Sequence, residues 1–233
     1  MKIFEKDDQE LLSEENSFFS KKLQRRNFLQ YAGASAAGVA LVAAGCKKND
    51  DFSRGVDLGT GDIGILNFAY ALEQLEAAFY TQVALTPYAN ISSTESAYLT
   101  SIRDHEVAHR EFFKAALGNS AIIGLQVDFS SINFTDRTSV LGTAKAFEDL
   151  GVSAYNGAGY LIKSADYLTL AGKIVSVEGR HAALIRDLIS NGTFVGPDVI
   201  DANALEMSRT PIEVLSIAKK YIVTEINASN LPS

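Results

Sequence analysis

Four long stretches of the sequence place an apolar residue at every third or fourth position, which is the spacing of one face of an α-helix. They cover approximately residues 63–85, 92–118, 139–163 and 165–190. Pro87 follows the first stretch and cannot continue a helix, and Ser92 with Glu95 forms the pattern of a capping box at the start of the second. The pattern predicts an all-α domain built from four long helices.

Ionisable side chains interrupt each of these apolar stripes at positions that should face the core. In chain order they are Glu73, Glu76, Glu106, His109, Glu148, Glu178 and His181. A buried, unpaired carboxylate is costly, and several that meet in one core repel each other. Divalent cations would remove both penalties. The alternative is a set of neutral, hydrogen-bonded carboxyl groups.

Two of the three histidines belong to the same four-residue motif. Glu106 and His109 form one Glu-x-x-His copy, and Glu178 and His181 form the other. Residues three apart on a helix share a face, so each motif points one carboxylate and one imidazole in the same direction. Two such helices supply much of a carboxylate-bridged dinuclear site in a bundle core. The motifs therefore predict a chain that binds two metal ions.

An internal repeat relates the two halves of this region. Tyr80 follows Glu73 by seven residues, and Tyr155 follows Glu148 by seven. Each pair precedes a Glu-x-x-His helix, which predicts two helical hairpins of one plan, related by an approximate two-fold. Residues 119–138 join the hairpins without helical periodicity and are predicted to form an extended strap. A long crossover of this kind between helices 2 and 3 suits a bundle whose middle helices are parallel.

The segments Leu72–Tyr80 and Phe147–Ala158, with the order of the glutamates and histidines, resemble the ferritin-like di-iron superfamily, which includes ferritin, bacterioferritin and rubrerythrin. They are more closely similar to its secreted branch, which includes desiccation-related proteins. The similarity covers about Asp62 to Asn191 and implies a ferritin-like four-helix bundle. It also implies two iron ions, with manganese as the alternative, and chemistry with oxygen or peroxide.

The resemblance also implies a set of metal ligands. These are Glu73 and Glu148 as single-carboxylate ligands, Glu106 and Glu178 as bridges between the ions, and His109 and His181 on one ion each. Glu76 lies one helical turn beyond Glu73 on the same stripe and is an alternative ligand. The repeated spacing from glutamate to tyrosine favours Glu73.

Three further side chains are expected near these ligands. Tyr80 and Tyr155 are predicted to hold ligands by hydrogen bonds, with filling of the core as the alternative for both. His105 directly precedes Glu106 and points about a hundred degrees away from it around the helix. We therefore expect His105 to be an ordinary interfacial histidine instead of a ligand.

The first 45 residues have the features of an export signal. Arg25 and Arg26 precede a weakly apolar run rich in Ala and Gly, residues 31–44, which resembles the bacterial twin-arginine signal that exports folded proteins. Small residues then precede Cys46, the only cysteine, as in a lipoprotein signal. Cys46 would then be acylated and anchor the protein to a membrane. The alternative is a small buried cysteine in an uncleaved helix.

The remaining chain divides into three predicted parts. Residues 46–61 are polar and are predicted to form a flexible tether, and residues 62–192 form the four-helix bundle. Residues 193–233 form an extension with a further helix, from Thr210 to about Ile222, that docks on the bundle. The signal and tether together predict a protein of the periplasm or cell envelope.

The net charge of −7 makes the chain a poor candidate for binding nucleic acid. A single cysteine excludes an intrachain disulfide, so the fold must be stabilised by its core. The function predicted from these features is an exported di-iron protein that oxidises Fe(II) or reacts with oxygen or peroxide. The alternative is a non-catalytic envelope protein, stress- or desiccation-related, with structural metal or none. The sequence leaves the oligomeric state open.

Overall fold

Five α-helices make up most of residues 55–232, which are the residues that the computed structural model describes. They are α1 Gly61–Leu85, α2 Ser93–Leu117, α3 Arg137–Gly159, α4 Ala165–Ile189 and α5 Pro211–Ala218. A single 3-10 turn, Gly118–Ser120, follows α2. The four long helices lie within four residues of their predicted bounds at each end. The predicted all-α class is confirmed.

Side-chain caps fix where the helices begin. Ser92, Asp136, Ser164 and Thr210 each accept a hydrogen bond from the backbone N–H three residues further on. These bonds satisfy donors that the helix itself leaves unpaired, and each is worth about 1 kcal/mol. The sequence pattern therefore sets the start of α2 to α5 locally.

The helices pair as two antiparallel hairpins, α1 with α2 and α3 with α4, and α1 also contacts α3. Helix α1 is the most deeply buried, because almost every residue from Gly64 to Val83 is shielded from solvent. The ring of Phe79, in its C-terminal half, is fully buried. Burial of such a side chain stabilises the fold by roughly 1.5–3 kcal/mol.

The crossover between α2 and α3 lies along the bundle, as predicted for a ferritin-like topology. The rings of Phe129 and Phe134 pack on Phe79, with centroids 6.0 and 5.9 Å away. Asn67 on α1 accepts a hydrogen bond from the backbone N–H of Ile122 at 3.0 Å. Aromatic packing and a buried amide therefore fix a long connection that has no helix of its own.

The C-terminal extension crosses α3 at Gly157. A Cβ atom at this position would lie 1.8 Å from the carbonyl oxygen of Arg209, so only glycine permits the contact. Next to it, the backbone N–H of Arg209 donates to the carbonyl of Ser153 at 3.0 Å. The helix that follows, α5, ends at Ala218 and not at Ile222 as predicted, since Ile222 pairs with Val127 of the crossover.

The two ends of the described region meet in a short parallel sheet. Strand β1, Val56–Asp57, pairs with β2, Ile226–Asn227, and Leu58 beside β1 is fully buried. Of the predicted tether, residues 46–61, the stretch from Val56 to Leu58 is therefore paired or buried instead of free. A strand of two residues is too short to show a sequence period. The predicted export signal, with Arg25, Arg26 and Cys46, lies outside the described residues.

Among residues 55–232, no helix combines the length and the apolar character needed to cross a membrane.

Candidate metal centre

Six side chains from the four long helices converge in the middle of the bundle. They form two groups of four, one with Glu73, Glu106, His109 and Glu178, the other with Glu106, Glu148, Glu178 and His181. Within each group, one donor atom from every residue lies within 4.8 Å of the others. Glu106 and Glu178 belong to both groups. The structure thus brings together all six residues that the sequence singled out as principal ligands.

The donor atoms interleave across the two Glu-x-x-His helices. The Nδ1 atom of His109 on α2 is nearest to Glu178 on α4, at 2.9 Å from Oε1. The Nδ1 atom of His181 on α4 is nearest to Glu106 on α2, at 2.7 Å from Oε1. Each histidine therefore faces the carboxylate of the opposite helix, and the two halves of the cluster are arranged in the same way.

The carboxylates of the cluster have no contact with solvent. Glu73, Glu106, Glu148 and Glu178 are each 0% exposed. Four negative charges held this close without water would repel each other strongly, so the fold needs a compensating positive charge at this place. The two imidazoles are the only basic side chains in either group.

The inward-facing atoms of the cluster lack hydrogen-bond partners. These are Oε2 of Glu73 and Glu148, both carboxylate oxygens of Glu106 and Glu178, and Nδ1 of His109 and His181. The short His–Glu distances do not have the geometry of hydrogen bonds. Buried polar atoms are normally paired with a hydrogen-bond partner. Eight unpaired oxygen and nitrogen atoms that converge on one place match the ligand set of a metal centre. The residues present fit the binding of a metal cation.

Residues 61–191, more than half of the chain, match the family model described as the ferritin-like domain. The chain belongs to the ferritin-like family. No curated protein shows a significant match to the chain.

Two tyrosines hold the outer carboxylates of the ferritin-like cluster. Tyr80 on α1 donates to Oε1 of Glu148 on α3 at 2.5 Å, and Tyr155 on α3 donates to Oε1 of Glu73 on α1 at 2.5 Å. The predicted hydrogen bonds are present, but each one crosses to the other hairpin. The bonded oxygen of each glutamate thus points outward and leaves the second oxygen for an ion.

The electrostatics of the ferritin-like centre keep protons on its histidines. Burial alone would lower the pKa of His109 and His181, yet the carboxylates around them raise it to about 12. Burial raises the pKa of Glu148 to about 8, since the neighbouring His181 offsets only part of that effect. The same imidazoles lower the pKa of Glu106 to about 2 despite its burial. A bound cation must therefore displace protons from Nδ1 of each ring.

Glu76, the alternative ligand, is buried beside the ferritin-like cluster but belongs to neither group. Its carboxylate packs on Gly151 of α3, where a Cβ atom would lie 3.0 Å from Oε1 of Glu76. Burial raises the pKa of Glu76 well above its ordinary value, and the charges of the cluster raise it further. The geometry therefore favours Glu73 over Glu76 as a ligand, and Gly151 makes room for the extra carboxyl group.

His105 is nearer to the centre than the sequence indicated. Its Nδ1 atom lies 2.9 Å from Nε2 of His181, on the side of that ring opposite the cluster. His105 is in neither donor group, as expected, and lies at the interface of α2 and α4, where it contacts His181 directly. A rotation of about a hundred degrees from Glu106 turns the ring towards α4, not away from the site. The signal that could have revealed this is the four-residue spacing from His105 to His109.

Proposed function

We propose that this ferritin-like protein binds a carboxylate-bridged pair of iron ions, or manganese ions, and oxidises Fe(II) or reacts with oxygen or peroxide. The observation that supports this most directly is the sharing of Glu106 and Glu178 between the two groups of donor atoms. Each of these carboxylates has two oxygens without hydrogen-bond partners, one available to each half of the cluster. A carboxylate in that position would bridge two cations.

The donor set favours iron or manganese. Four carboxylates and two imidazoles form a shell that is rich in oxygen, and no cysteine lies among the described donors. Oxygen and imidazole ligands suit Fe(II) and Mn(II), whereas thiolate-rich sites favour zinc, copper or iron–sulfur clusters. Four ionised carboxylates also balance the formal charge of two divalent ions in a core without water.

The chain's own residues would position and protect the ions. Glu73 and Glu148 would each hold one ion, with their orientation fixed by Tyr155 and Tyr80. Ferrous iron in such a site supplies electrons to oxygen or peroxide. The helices exclude bulk water from the carboxylates, which strengthens every electrostatic interaction within the cluster.

A small apolar cavity adjoins the cluster at Tyr155. Its volume is about 20 Å³, and apolar side chains such as Phe68, Phe113 and Ile162 line it. A cavity of this size accommodates one water-sized molecule, and an apolar lining favours a small uncharged one. This supports a reaction with oxygen, because Tyr155 both lines the cavity and donates to Glu73.

The place of action is proposed from the N-terminal sequence. Arg25 and Arg26 support export by a twin-arginine route, which would deliver the folded domain to the periplasm or cell envelope. Cys46 supports a lipid anchor after cleavage. Mass spectrometry of the mature protein tests both, since an acylated N-terminal Cys46 is expected and an intact N-terminus would contradict them.

Metal content and Fe(II) oxidation test the proposed centre. Full-length protein, loaded anaerobically with Fe(II) and desalted, is expected to retain two ions per chain and to accelerate Fe(II) oxidation in air. Glu178→Gln should lose both ions, since it removes a bridge from both groups. Glu76→Gln is the matched control, because Glu76 is a buried carboxylate outside both groups, and it should retain them.

The two outcomes that contradict the proposal differ in meaning. Absence of bound metal in the wild-type protein would reject the metal centre and favour a non-catalytic envelope protein. Two bound ions without faster oxidation of Fe(II), whether by oxygen or by peroxide, would support the metal centre and reject the redox activity.

A further inference from the structure

The rings of His105 and His181 meet edge to edge on the outer side of the cluster. Nδ1 of His105 lies 2.9 Å from Nε2 of His181, and the ring planes differ by only 8°. The other nitrogen of His181, Nδ1, faces the carboxylates. His181 therefore stands between the centre and His105, with one ring nitrogen towards each.

Binding of a cation at Nδ1 of His181 fixes the proton positions in both rings. A neutral imidazole has one donor nitrogen and one acceptor nitrogen. If Nδ1 of His181 gives its lone pair to an ion, its Nε2 must hold the proton and donate it to His105. Nδ1 of His105 is then the acceptor, and its own proton sits on Nε2.

The other half of the centre has no equivalent partner at the matching position. His105 lies four residues before His109 on α2, and the residue four before His181 on α4 is Val177. An aliphatic side chain cannot accept a hydrogen bond from an imidazole. The approximate two-fold of the cluster is therefore broken at this pair of positions. The exposure of the ligands follows the same asymmetry, since the His109 side chain is 14% exposed and that of His181 is 5%.

We propose that His105 is a positioning residue that holds the ring of His181 with Nδ1 towards the ion, and so makes the His181 site the tighter of two unequal metal sites. This inference rests on the proposed pair of ions. Partners of this kind outside a metal site typically change affinity by about 10- to 100-fold. The ion held with His109 should be unaffected by changes at His105.

A pair of nearly isosteric substitutions isolates the hydrogen bond. In His105→Asn, the side-chain oxygen stands close to the place of Nδ1 and still accepts from His181. In His105→Leu, a methyl group stands there instead. His105 is exposed, so neither change should disturb the core. Val177→Ala alters the matching position on α4 and serves as the control.

Cobalt(II) provides the probe, because its visible absorption reports each binding step. Full-length wild-type protein should bind two Co(II) ions with different affinities, and His181→Ala and His109→Ala should each remove one step. His105→Leu is expected to weaken the step assigned to His181 by about 10- to 100-fold. His105→Asn and Val177→Ala should leave both affinities within about threefold of wild type.

Each of the other outcomes contradicts one part of the proposal. Equal affinities for wild type and His105→Leu, or an equal loss in the Asn and Leu variants, would reject the positioning role. Loss of both steps together would reject the inequality of the sites. Fewer than two ions in the wild type would overturn the proposed centre itself, and this inference with it.

A second measurement needs no substitution. Imidazole ¹⁵N NMR of the Zn(II)-loaded wild-type protein should show His105 protonated at Nε2 and unprotonated at Nδ1. Protonation of His105 at Nδ1 would overturn the inference even if every variant behaved as expected.

Discussion

The hydroxyl of Tyr80 donates a hydrogen bond to the carboxylate of Glu148, which lies 68 residues further along the chain. Tyr155 donates the equivalent hydrogen bond to Glu73. Each hairpin therefore supplies the donor that orients a carboxylate of the other hairpin. The repeated spacing of glutamate and tyrosine therefore produces hydrogen bonds between the two hairpins and not within either one. It also joins the packing of α1 on α3 to the shape of the carboxylate cluster.

Substitution of Tyr80 by Phe should destabilise the metal-free protein. The variant leaves a buried carboxylate oxygen of Glu148 without its donor, which costs about 1–3 kcal/mol. Urea unfolding in the presence of chelator measures the difference. Tyr160→Phe is the control, since Tyr160 is 70% exposed and its change should stay within about 0.5 kcal/mol. Equal stability of the two variants would show that the buried bond contributes nothing.

The stability of the metal-free protein should fall as the pH rises from 4.5 to 8. Burial raises the pKa of Glu148 from 4.5 to about 8, so the folded protein binds this proton more tightly than the unfolded chain. The resulting stabilisation is complete below pH 4.5 and is lost as the pH approaches 8. The raised pKa values of His109 and His181 act in the same direction above pH 6.5.

Urea unfolding at pH 5 and pH 8, with chelator present, should show a loss of about 2 kcal/mol or more. Glu148→Gln should reduce this loss, because the amide does not titrate and still accepts from Tyr80. A flat or rising stability over this interval would contradict the assignment.

Metal binding should stabilise the fold. At a hundred times the dissociation constant, each bound ion adds about 2.7 kcal/mol to the free energy of unfolding. Thermal unfolding with Mn(II), and again after EDTA, should show a reversible shift of the midpoint. Glu178→Gln should abolish the shift and Glu76→Gln should retain it, because Glu178 belongs to both donor groups and Glu76 belongs to neither. A shift retained in Glu178→Gln would place the ion elsewhere.

Gly157→Ala should be among the most damaging small substitutions. The added methyl group would meet the backbone of Arg209 at 1.8 Å, and backbone cannot move aside as a flexible side chain can. The expected loss is roughly 3 kcal/mol, the upper part of the range for overpacking. Gly172→Ala on α4 meets nothing within 4 Å and should stabilise the helix by about 0.5–1 kcal/mol. Urea unfolding of both variants tests the contrast.

The helices and the six converging residues could be predicted because their signals are local. Periodicity, caps and the Glu-x-x-His spacing each act within one helix, and they determine which side of it faces the core. Which helix stands opposite is a tertiary property. For that reason the sequence predicted that Tyr80 and Tyr155 hold ligands, but not that each reaches the other hairpin.

The same limit explains two details that local patterns do not determine. The angle of His105 from Glu106 around α2 predicts an interfacial position, but the contact with the ring of His181 on α4 depends on how the helices pack. The predicted end of the last helix followed the apolar pattern to Ile222. The chain instead leaves the helix at Ala218, because pairing of Ile222 with Val127 binds it to the crossover.

The pairing of β1 with β2 has a consequence for the order of assembly. Val56 stands opposite Ile226, 170 residues later, and Gly64 in the first turn of α1 packs closely against Leu231. During synthesis the whole bundle is made before these partners exist. The first residues of the domain therefore gain their partners only after residues beyond the ferritin-like region have been synthesised.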